Sequence, residues 1–264
     1  RYTQAVSAFI GLYGDRPDTR LFSAPGRTEL IGNHTDHNHG CVLAASVDLD
    51  VIAVAAPSEE RRIRVQSEGY PLDDLALDDL SPRSEEVNRS ASLVRGTAAR
   101  FGQLGFAAGG FDAYTTSNVL KGSGLSSSAA FEVLIGVILS TLYNRAGIPA
   151  AELARIAQYA ENVYFGKPSG LMDQMASAVG GIIAIDFGTE NQPVIRPVPF
   201  DLAASGHRLC IVDTGGSHAD LTHEYAAVPE EMEGVPHHMI GVADPAESWS
   251  VSRFTEAADR CVQD

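Results

Sequence analysis

The alternation of apolar and polar positions predicts strands along several parts of the chain. Residues 42–56 are rich in Val, Ile and Ala, which is typical of one or two largely buried strands. Residues 62–67 alternate polar and apolar side chains and predict a half-buried strand. Two further runs, 180–187 and 209–214, also read as strands. Residues 68–86 are acidic and interrupted by proline, so we expect a solvated surface connection there.

Two helices stand out in the middle of the chain. Residues 128–143 are apolar on nearly every turn and too long for a strand, which predicts a buried helix. Pro149 stands where a second helix can begin. That helix would present one apolar face, formed by Leu153, Ile156, Ala157 and Ala160. Because strands and helices mix without a regular βαβ order, we predict an α+β fold.

Composition indicates a globular chain of one large domain or two smaller ones. Its 264 residues are 44% hydrophobic and 20% charged, which suffices for a sizeable core. The net charge of −15 argues against nucleic acid as a partner. No apolar run approaches the roughly 18 residues that span a bilayer, so no membrane partner is expected. Three widely spaced cysteines and a first segment unlike a signal peptide favour a cytoplasmic setting, with the oligomeric state left open.

A Gly- and Ser-rich stretch, KGSGLSSSAA at residues 121–130, directly precedes the longer helix. Glycines let the backbone approach an anion closely, and the unpaired N–H groups of a helix start point towards it. The serine hydroxyls suit phosphate oxygens or Mg²⁺. The stretch is not a Walker A loop, and a plain loop with a serine N-cap is the alternative.

Two other polar stretches are candidates for a site. Residues 24–40, APGRTELIGNHTDHNHG, combine donors and acceptors that suit a polyol, although a polar surface turn has the same composition. The spacing of His34, His37 and His39 matches no familiar zinc pattern. In the stretch 166–181, GKPSGLMDQMASAVGG, Asp173 lies among small and apolar residues. Taken alone, such an aspartate is more often a helix cap than a catalyst.

The three stretches in this order resemble the galactokinase branch of the GHMP kinase family. The segments that carry the resemblance are GRTELIGNHTD, GSGLSSSA and GLMDQ, followed by VDTGGSHADLTHEYAAVP, and they span about residues 20–229. The resemblance implies a GHMP kinase-like N-terminal domain of the ribosomal protein S5 domain 2-like type. It also implies ATP-dependent phosphorylation of galactose, or a close hexose, at the anomeric hydroxyl.

The same resemblance implies roles for individual residues. Asp173 would be the catalytic carboxylate and Arg27 would stabilise the transferring charge. Mg²⁺ would be held by Ser128 and Glu161, and Ser67 would lie near the nucleotide. The sugar would be lined by Asn33, His34, Thr35, Asp36, Gly170 and Tyr225. The ATP phosphates would be held by Gly122, Ser123, Gly124, Leu125, Ser126, Ser127 and Ser128.

Two positions of the first motif depart from the family pattern. Asn33 stands where the family has Glu, and Glu29 stands where it has Asn. An asparagine loses a charge-assisted contact to a sugar hydroxyl, so the preferred hexose stays open, with galactose favoured. The alternatives are an inactive truncated fusion, a non-catalytic relative that binds a sugar or nucleotide, and a GHMP kinase for another small alcohol.

The end of the chain departs more strongly. From about Glu233 the sequence EGVPHHMIGVADPAESWS resembles a segment of tRNA dimethylallyltransferases, and the family's third motif, roughly GxGFGG, is not found. We therefore expect a galactokinase-like part over 1–231, with its C-terminal domain largely missing, and an unrelated tail over 232–264. A divergent extension is the alternative. No transferase activity is assigned, because that enzyme's own GxxxxGK[ST] loop is absent.

Overall fold

The computed structural model describes residues 1–32, 34–119, 122–189 and 193–212 of the chain. The strands among them are β1 (Arg20–Ile31), β2 (Cys41–Pro57), β3 (Arg62–Ser67), β4 (Leu72–Ala76), β5 (Phe111–Ser117), β6 (Ile182–Asp186) and β7 (Val194–Pro197). The helices are α1 (Tyr2–Tyr13), α2 (Ser90–Gln103), α3 (Ser127–Tyr143), α4 (Ala150–Tyr159) and α5 (Met172–Val179). Short 3-10 turns lie at Thr35–Asn38 and Ser84–Glu86, and a π-helical turn, Ala160–Phe165, continues α4.

The strands form one mixed sheet in the order β4-β3-β5-β2-β6-β7, with β1 paired to β2. β3 and β5 run parallel, whereas the other pairs are antiparallel. The long strand β2 pairs with β5 through Val51–Pro57 and with β6 through Cys41–Ala45. It therefore joins the two halves of the sheet.

Alternate residues of β2 pack into different cores. Val51, Ala53 and Ala55 belong to the large core formed with the helices, including Leu134 and Ile138 of α3. Ile52, Val54 and Ala56 pack instead with Ala5 and Phe9 of α1 on the other face. A strand buried on both faces reads as a continuous apolar run, which is the pattern that predicted it.

The α+β prediction and most of the predicted elements are confirmed. β2 and β3 cover the predicted segments 42–56 and 62–67, and β6 lies within 180–187. The helix predicted over 128–143 is α3, and the one expected after Pro149 is α4. All four residues of the predicted apolar face of α4 are buried in the structure: Leu153, Ile156, Ala157 and Ala160.

Two expectations were wrong. The segment 68–86 is not only a surface connection, because β4 pairs antiparallel with β3 and buries Leu75 beneath it. The strand expected over 209–214 is absent over 209–212, where the described backbone is irregular and pairs with no neighbour; 213–214 lie outside the described residues. An isolated strand leaves its backbone groups unpaired, so an apolar run alone does not make one. The pattern also gave no prediction of the helices α1, α2 and α5 or of the strands β1, β5 and β7.

A bulge in β1 places the first site residue. The register with β2 shifts between Pro25 and Arg27, and bulges of this kind re-aim side chains. Gly26 makes this approach possible, because a Cβ there would lie 2.8 Å from the carbonyl oxygen of Leu125. The Arg27 amide donates to that same oxygen at 3.1 Å. The strand is thus fixed directly against the Gly- and Ser-rich loop.

Candidate active site

The loop that leads into α3 is held in a tight, left-handed path. Gly122 and Gly124 have φ of 71° and 78°, which glycine adopts without strain. Ser126, the residue before the helix, has φ of 56° and makes no side-chain cap. The first helical bond runs from the Ala130 amide to the Ser126 carbonyl. The N–H groups of the first turn of α3 have no partner within the helix, and such groups form an anion-binding site.

Arg27 joins the loop to α5. Its Nε donates to Asp173 Oδ1 at 2.6 Å, and its Nη1 donates to the Gly124 carbonyl at 2.5 Å. The arginine is buried, whereas the Asp173 side chain stays 24% exposed. One guanidinium therefore fixes the candidate catalytic carboxylate relative to the candidate phosphate loop.

Asp173 is held from the loop side as well. The hydroxyl of Ser126 donates to Asp173 Oδ2, which explains why it does not cap α3. Burial by itself would raise the pKa of Asp173, but the charge and hydrogen bond of Arg27 outweigh it, with help from Ser126. The pKa lies below its usual value, so Asp173 is an anion at neutral pH.

Glu161 forms a second charged centre beside the loop. It lies on the π-helical turn after α4, a kind of irregularity that is frequent at functional sites. Its Oε1 accepts from Ser128 Oγ at 3.1 Å and from Lys167 Nζ at 3.2 Å. Its Oε2 accepts from Gln174 Nε2 at 2.7 Å. Ser128 and Glu161, predicted together as Mg²⁺ ligands, are neighbours in the structure.

A fully buried acid lies behind this centre. Gln174 Nε2 also reaches Glu132 Oε2 at 3.4 Å. Burial, reinforced by the negative charge of Glu161, raises the pKa of Glu132 well above its usual value. Glu132 Oε1 and Gln174 Oε1 have no hydrogen-bond partner in the described part of the chain. Ionised carboxylate and amide oxygens only accept hydrogen bonds, and protonation of Glu132 turns one of its oxygens into a donor.

Asp36 brings the first motif against the third. Its Oδ2 accepts from the Met172 amide at the start of α5 at 3.2 Å. Gly170 leaves the space for this carboxylate, because a Cβ built there would overlap Asp36 Oδ2. Thr35 is turned inward, with Oγ1 3.3 Å from the Cys41 carbonyl. Asp36 and Gly170, predicted to share the sugar pocket, therefore touch.

Glu29 takes a place that the sequence did not assign. Its Oε1 accepts from the His34 amide at 2.9 Å, and its Oε2 lies 3.7 Å from His34 Nε2. The backbone of His34 is left-handed and its ring is half exposed. Glu29 lies on β1 together with Arg27, so the pair that it forms with His34 directly follows the candidate catalytic arginine along the chain.

Of the remaining predicted residues, four lie in the described part of the chain and two do not. Ser67 ends β3, where its hydroxyl accepts from Thr115 Oγ1 at 2.8 Å on the parallel strand β5. This bond ties Ser67 to the sheet. Ser123 and Leu125 lie on the loop, and Ser127 is the first residue of α3. Asn33 and Tyr225 lie outside the described residues.

Comparison with known proteins identifies the families that parts of the chain match. Residues 7–57 match the galactokinase galactose-binding signature, and residues 92–181 match the GHMP kinases N terminal domain. The chain carries a GHMP kinase N-terminal domain. Outside it, residues 226–264 match the IPP transferase model, which confirms the resemblance predicted for the tail. The position of the boundary expected near Met232 stays a prediction.

Individual relatives place this GHMP kinase domain near the galactokinases. A galactokinase of Streptomyces coelicolor is 37% identical over 232 residues, which cover 84% of this chain and 58% of the relative. A Lactococcus lactis galactokinase, solved as a complex with galactose, superimposes with a TM-score of 0.70 at 26% identity, over 91% of this chain and 64% of that one. The chain thus spans about three-fifths of the length of these relatives.

More distant structures share the fold alone. The mevalonate kinase of Methanococcus jannaschii has a TM-score of 0.59 at 16% identity, over 83% of this chain and 71% of that one. The described ranges of the chain contain no helix with the length and apolar character of a membrane span. They also contain no group of three His, Cys, Asp or Glu side chains suited to a metal.

Four functional candidates were missed in the sequence. Glu29, Glu132, Lys167 and Gln174 all contact predicted site residues or lie directly behind them. The signal for Glu132 was available, because it is the one charge inside the otherwise apolar run 128–143. Lys167 and Glu29 look like ordinary solvated charges until the fold brings their partners to them.

Proposed function

We propose that the chain phosphorylates galactose at the anomeric hydroxyl, with ATP as the phosphoryl donor. The observation that carries this proposal is the clamp around Asp173. Arg27 and Ser126 hold its two oxygens, and both also belong to or contact the phosphate loop. A carboxylate that would orient a hydroxyl is therefore fixed relative to the loop that would hold the γ-phosphate. The galactokinase relatives support galactose as the acceptor.

Asp173 would accept a hydrogen bond from the attacking hydroxyl and align it with the phosphorus. As the new O–P bond forms and the bond to the β-phosphate oxygen breaks, ADP leaves and the hydroxyl proton passes to Asp173. Its lowered pKa makes it a weak base, so alignment and late proton transfer suit it better than early deprotonation. Phosphoryl transfer depends mainly on such positioning and on charge stabilisation. The loop amides and Arg27 would supply the latter.

The donor set beside the loop fits Mg²⁺. This ion prefers oxygen ligands and is commonly held by one or two carboxylates together with substrate phosphates. Ser128 Oγ and Glu161 Oε1 are 3.1 Å apart, and a lysine ammonium already lies against that carboxylate. Ser128 and Glu161 would hold the ion, which when bound would neutralise phosphate charge.

The sugar would lie between the first motif and α5. Asp36, fixed by the Met172 amide, presents a carboxylate that can accept from hydroxyl groups. Glu29 and His34, whose Oε2 and Nε2 atoms are 3.7 Å apart, would add a second acceptor and a ring nitrogen. This arrangement of carboxylates suits a polyol better than an apolar alcohol.

The test is turnover by the 264-residue chain with ATP and Mg²⁺. Formation of galactose 1-phosphate is followed by phosphorus NMR, with glucose, homoserine and mevalonate as competing acceptors. We expect galactose to react fastest, and Asp173→Ala to abolish turnover while keeping galactose binding. Faster reaction of homoserine or mevalonate would replace galactose in the proposal. Binding of galactose and ATP without any turnover would indicate a non-catalytic relative.

A further inference from the structure

One carboxylate oxygen beside the phosphate loop is shared by two donors. Glu161 Oε1 accepts from Ser128 Oγ at 3.1 Å and from Lys167 Nζ at 3.2 Å. Glu161 itself is buried, whereas the Lys167 side chain is 29% exposed. The lysine ammonium therefore lies at the boundary between the buried acid and the open side of the site.

The other oxygen of Glu161 is not free to exchange with the first. Gln174 Nε2 donates to Oε2 at 2.7 Å, and the same amide reaches the buried Glu132. The carboxylate is thus anchored from the core. Oε1 is the oxygen that faces Ser128, and it is the one that a cation bound by Ser128 and Glu161 would use.

Resting on the function proposed above, we infer that Lys167 is the counter-cation of Glu161 in the nucleotide-free protein. With Mg²⁺ and ATP bound, Ser128 and Glu161 would hold the ion, and the Lys167 ammonium would pair with the nucleotide phosphates in place of Glu161. Lys167 thereby becomes a phosphate-binding residue that sequence motifs do not reveal.

Simple electrostatics supports the exchange. Two cations on one oxygen repel each other, whereas polyphosphate in the loop would offer the ammonium several new acceptors. Lysine carries its charge on a flexible four-carbon stem with three rotatable donors. A short displacement can therefore change its partner.

The inference predicts two affinity changes of opposite sign in the full chain with Lys167→Met. Binding of Mn²⁺ alone, measured by electron paramagnetic resonance, should tighten by about tenfold, because the competing charge is gone. Binding of Mg²⁺·ATP without sugar, measured by calorimetry, should weaken by about tenfold, because a phosphate contact is gone. Lys167→Arg keeps the charge and should change both affinities less.

Arg155→Met is the matched control. It removes a more exposed cation that pairs with Glu152 on α4, and should change neither affinity. If Lys167→Met weakens the binding of both ligands, Lys167 only forms a structural ion pair with Glu161, and the inference is wrong. Unchanged affinities, a reversed pattern, or a wild-type chain that binds neither Mn²⁺ nor Mg²⁺·ATP would overturn it equally. Both measurements are of binding and not of turnover. If the chain does not phosphorylate galactose, the proposed function is wrong, but these two affinities still test the role of Lys167.

Discussion

The side-chain amide of Gln174 donates to Glu161 Oε2 at 2.7 Å. Gln174 follows the candidate catalytic Asp173 on α5, whereas Glu161 lies on the π-helical turn after α4. One hydrogen bond therefore ties the two charged centres of the site together. Behind it, Glu132 of α3 completes a buried contact among three elements.

Substituting Glu132→Gln should stabilise the chain at pH 7 but not at pH 4. The pKa of Glu132 is raised from 4.5, so above that pH the folded state binds more protons than the unfolded state. Stability from this group therefore falls as the pH rises. Glutamine keeps the shape of the glutamate side chain but cannot ionise. Urea unfolding of the wild type and of Glu132→Gln at the two pH values measures the free energy of unfolding. A variant that is no more stable than the wild type at pH 7 would contradict the prediction. The charges around Glu132, namely Glu161, Asp173 and Lys167, are unchanged in the variant.

Gly170→Ala should weaken galactose binding by about tenfold or more. A Cβ at this position would overlap Asp36 Oδ2, so the carboxylate must leave its bond to the Met172 amide. Forcing an added methyl into a packed site commonly costs about 1–3 kcal/mol. Galactose affinity is measured by calorimetry without nucleotide.

The control for this variant is Gly102→Ala on α2. No atom lies within 4 Å of the Cβ it would add, and the helix favours alanine. It should leave galactose affinity unchanged and raise the free energy of unfolding slightly. Equal galactose affinity in both variants would show that Asp36 and Gly170 do not form the sugar pocket.

Glu29→Asn should raise the KM for galactose by about tenfold, since it removes a charged acceptor beside His34. Relative to the family motif, positions 29 and 33 have exchanged Asn and Glu. The double variant Glu29→Asn with Asn33→Glu should therefore recover most of the lost affinity. If the double variant has the same KM for galactose as Glu29→Asn, a carboxylate at position 33 does not replace the one at position 29, and the prediction is wrong. Steady-state kinetics at saturating ATP distinguishes these results.

The sequence predicted what depends on local pattern and missed what depends on distant contacts. The loop before α3 follows from glycines and serines that are adjacent in the chain. By contrast, Arg27 and Asp173 are 146 positions apart, and only family resemblance connected them. Lys167 became interpretable only when the fold placed Glu161 beside it. β4 was missed because it is a short edge strand in which only Leu75 is fully buried, and a mostly polar edge strand resembles a loop in sequence.

Arg27→Met should move the acid limb of the kcat profile to higher pH. In the wild type, Arg27 outweighs the burial of Asp173 and keeps its pKa low, so Asp173 stays anionic well into the acid range. Without the guanidinium, burial dominates and the pKa of Asp173 rises. Turnover at neutral pH should also fall by about 10²–10⁴-fold, because the carboxylate loses its alignment with the loop.

Arg27→Lys separates charge from geometry in this prediction. An ammonium can still lower the pKa of Asp173, but it cannot donate at once from Nε to Asp173 and from Nη1 to the Gly124 carbonyl. We therefore expect the acid limb of Arg27→Lys to stay near that of the wild type while kcat falls. If the acid limb moves equally in both variants, burial and alignment control Asp173, and the charge of Arg27 does not. If it moves in neither, Asp173 is not the group that titrates on that limb.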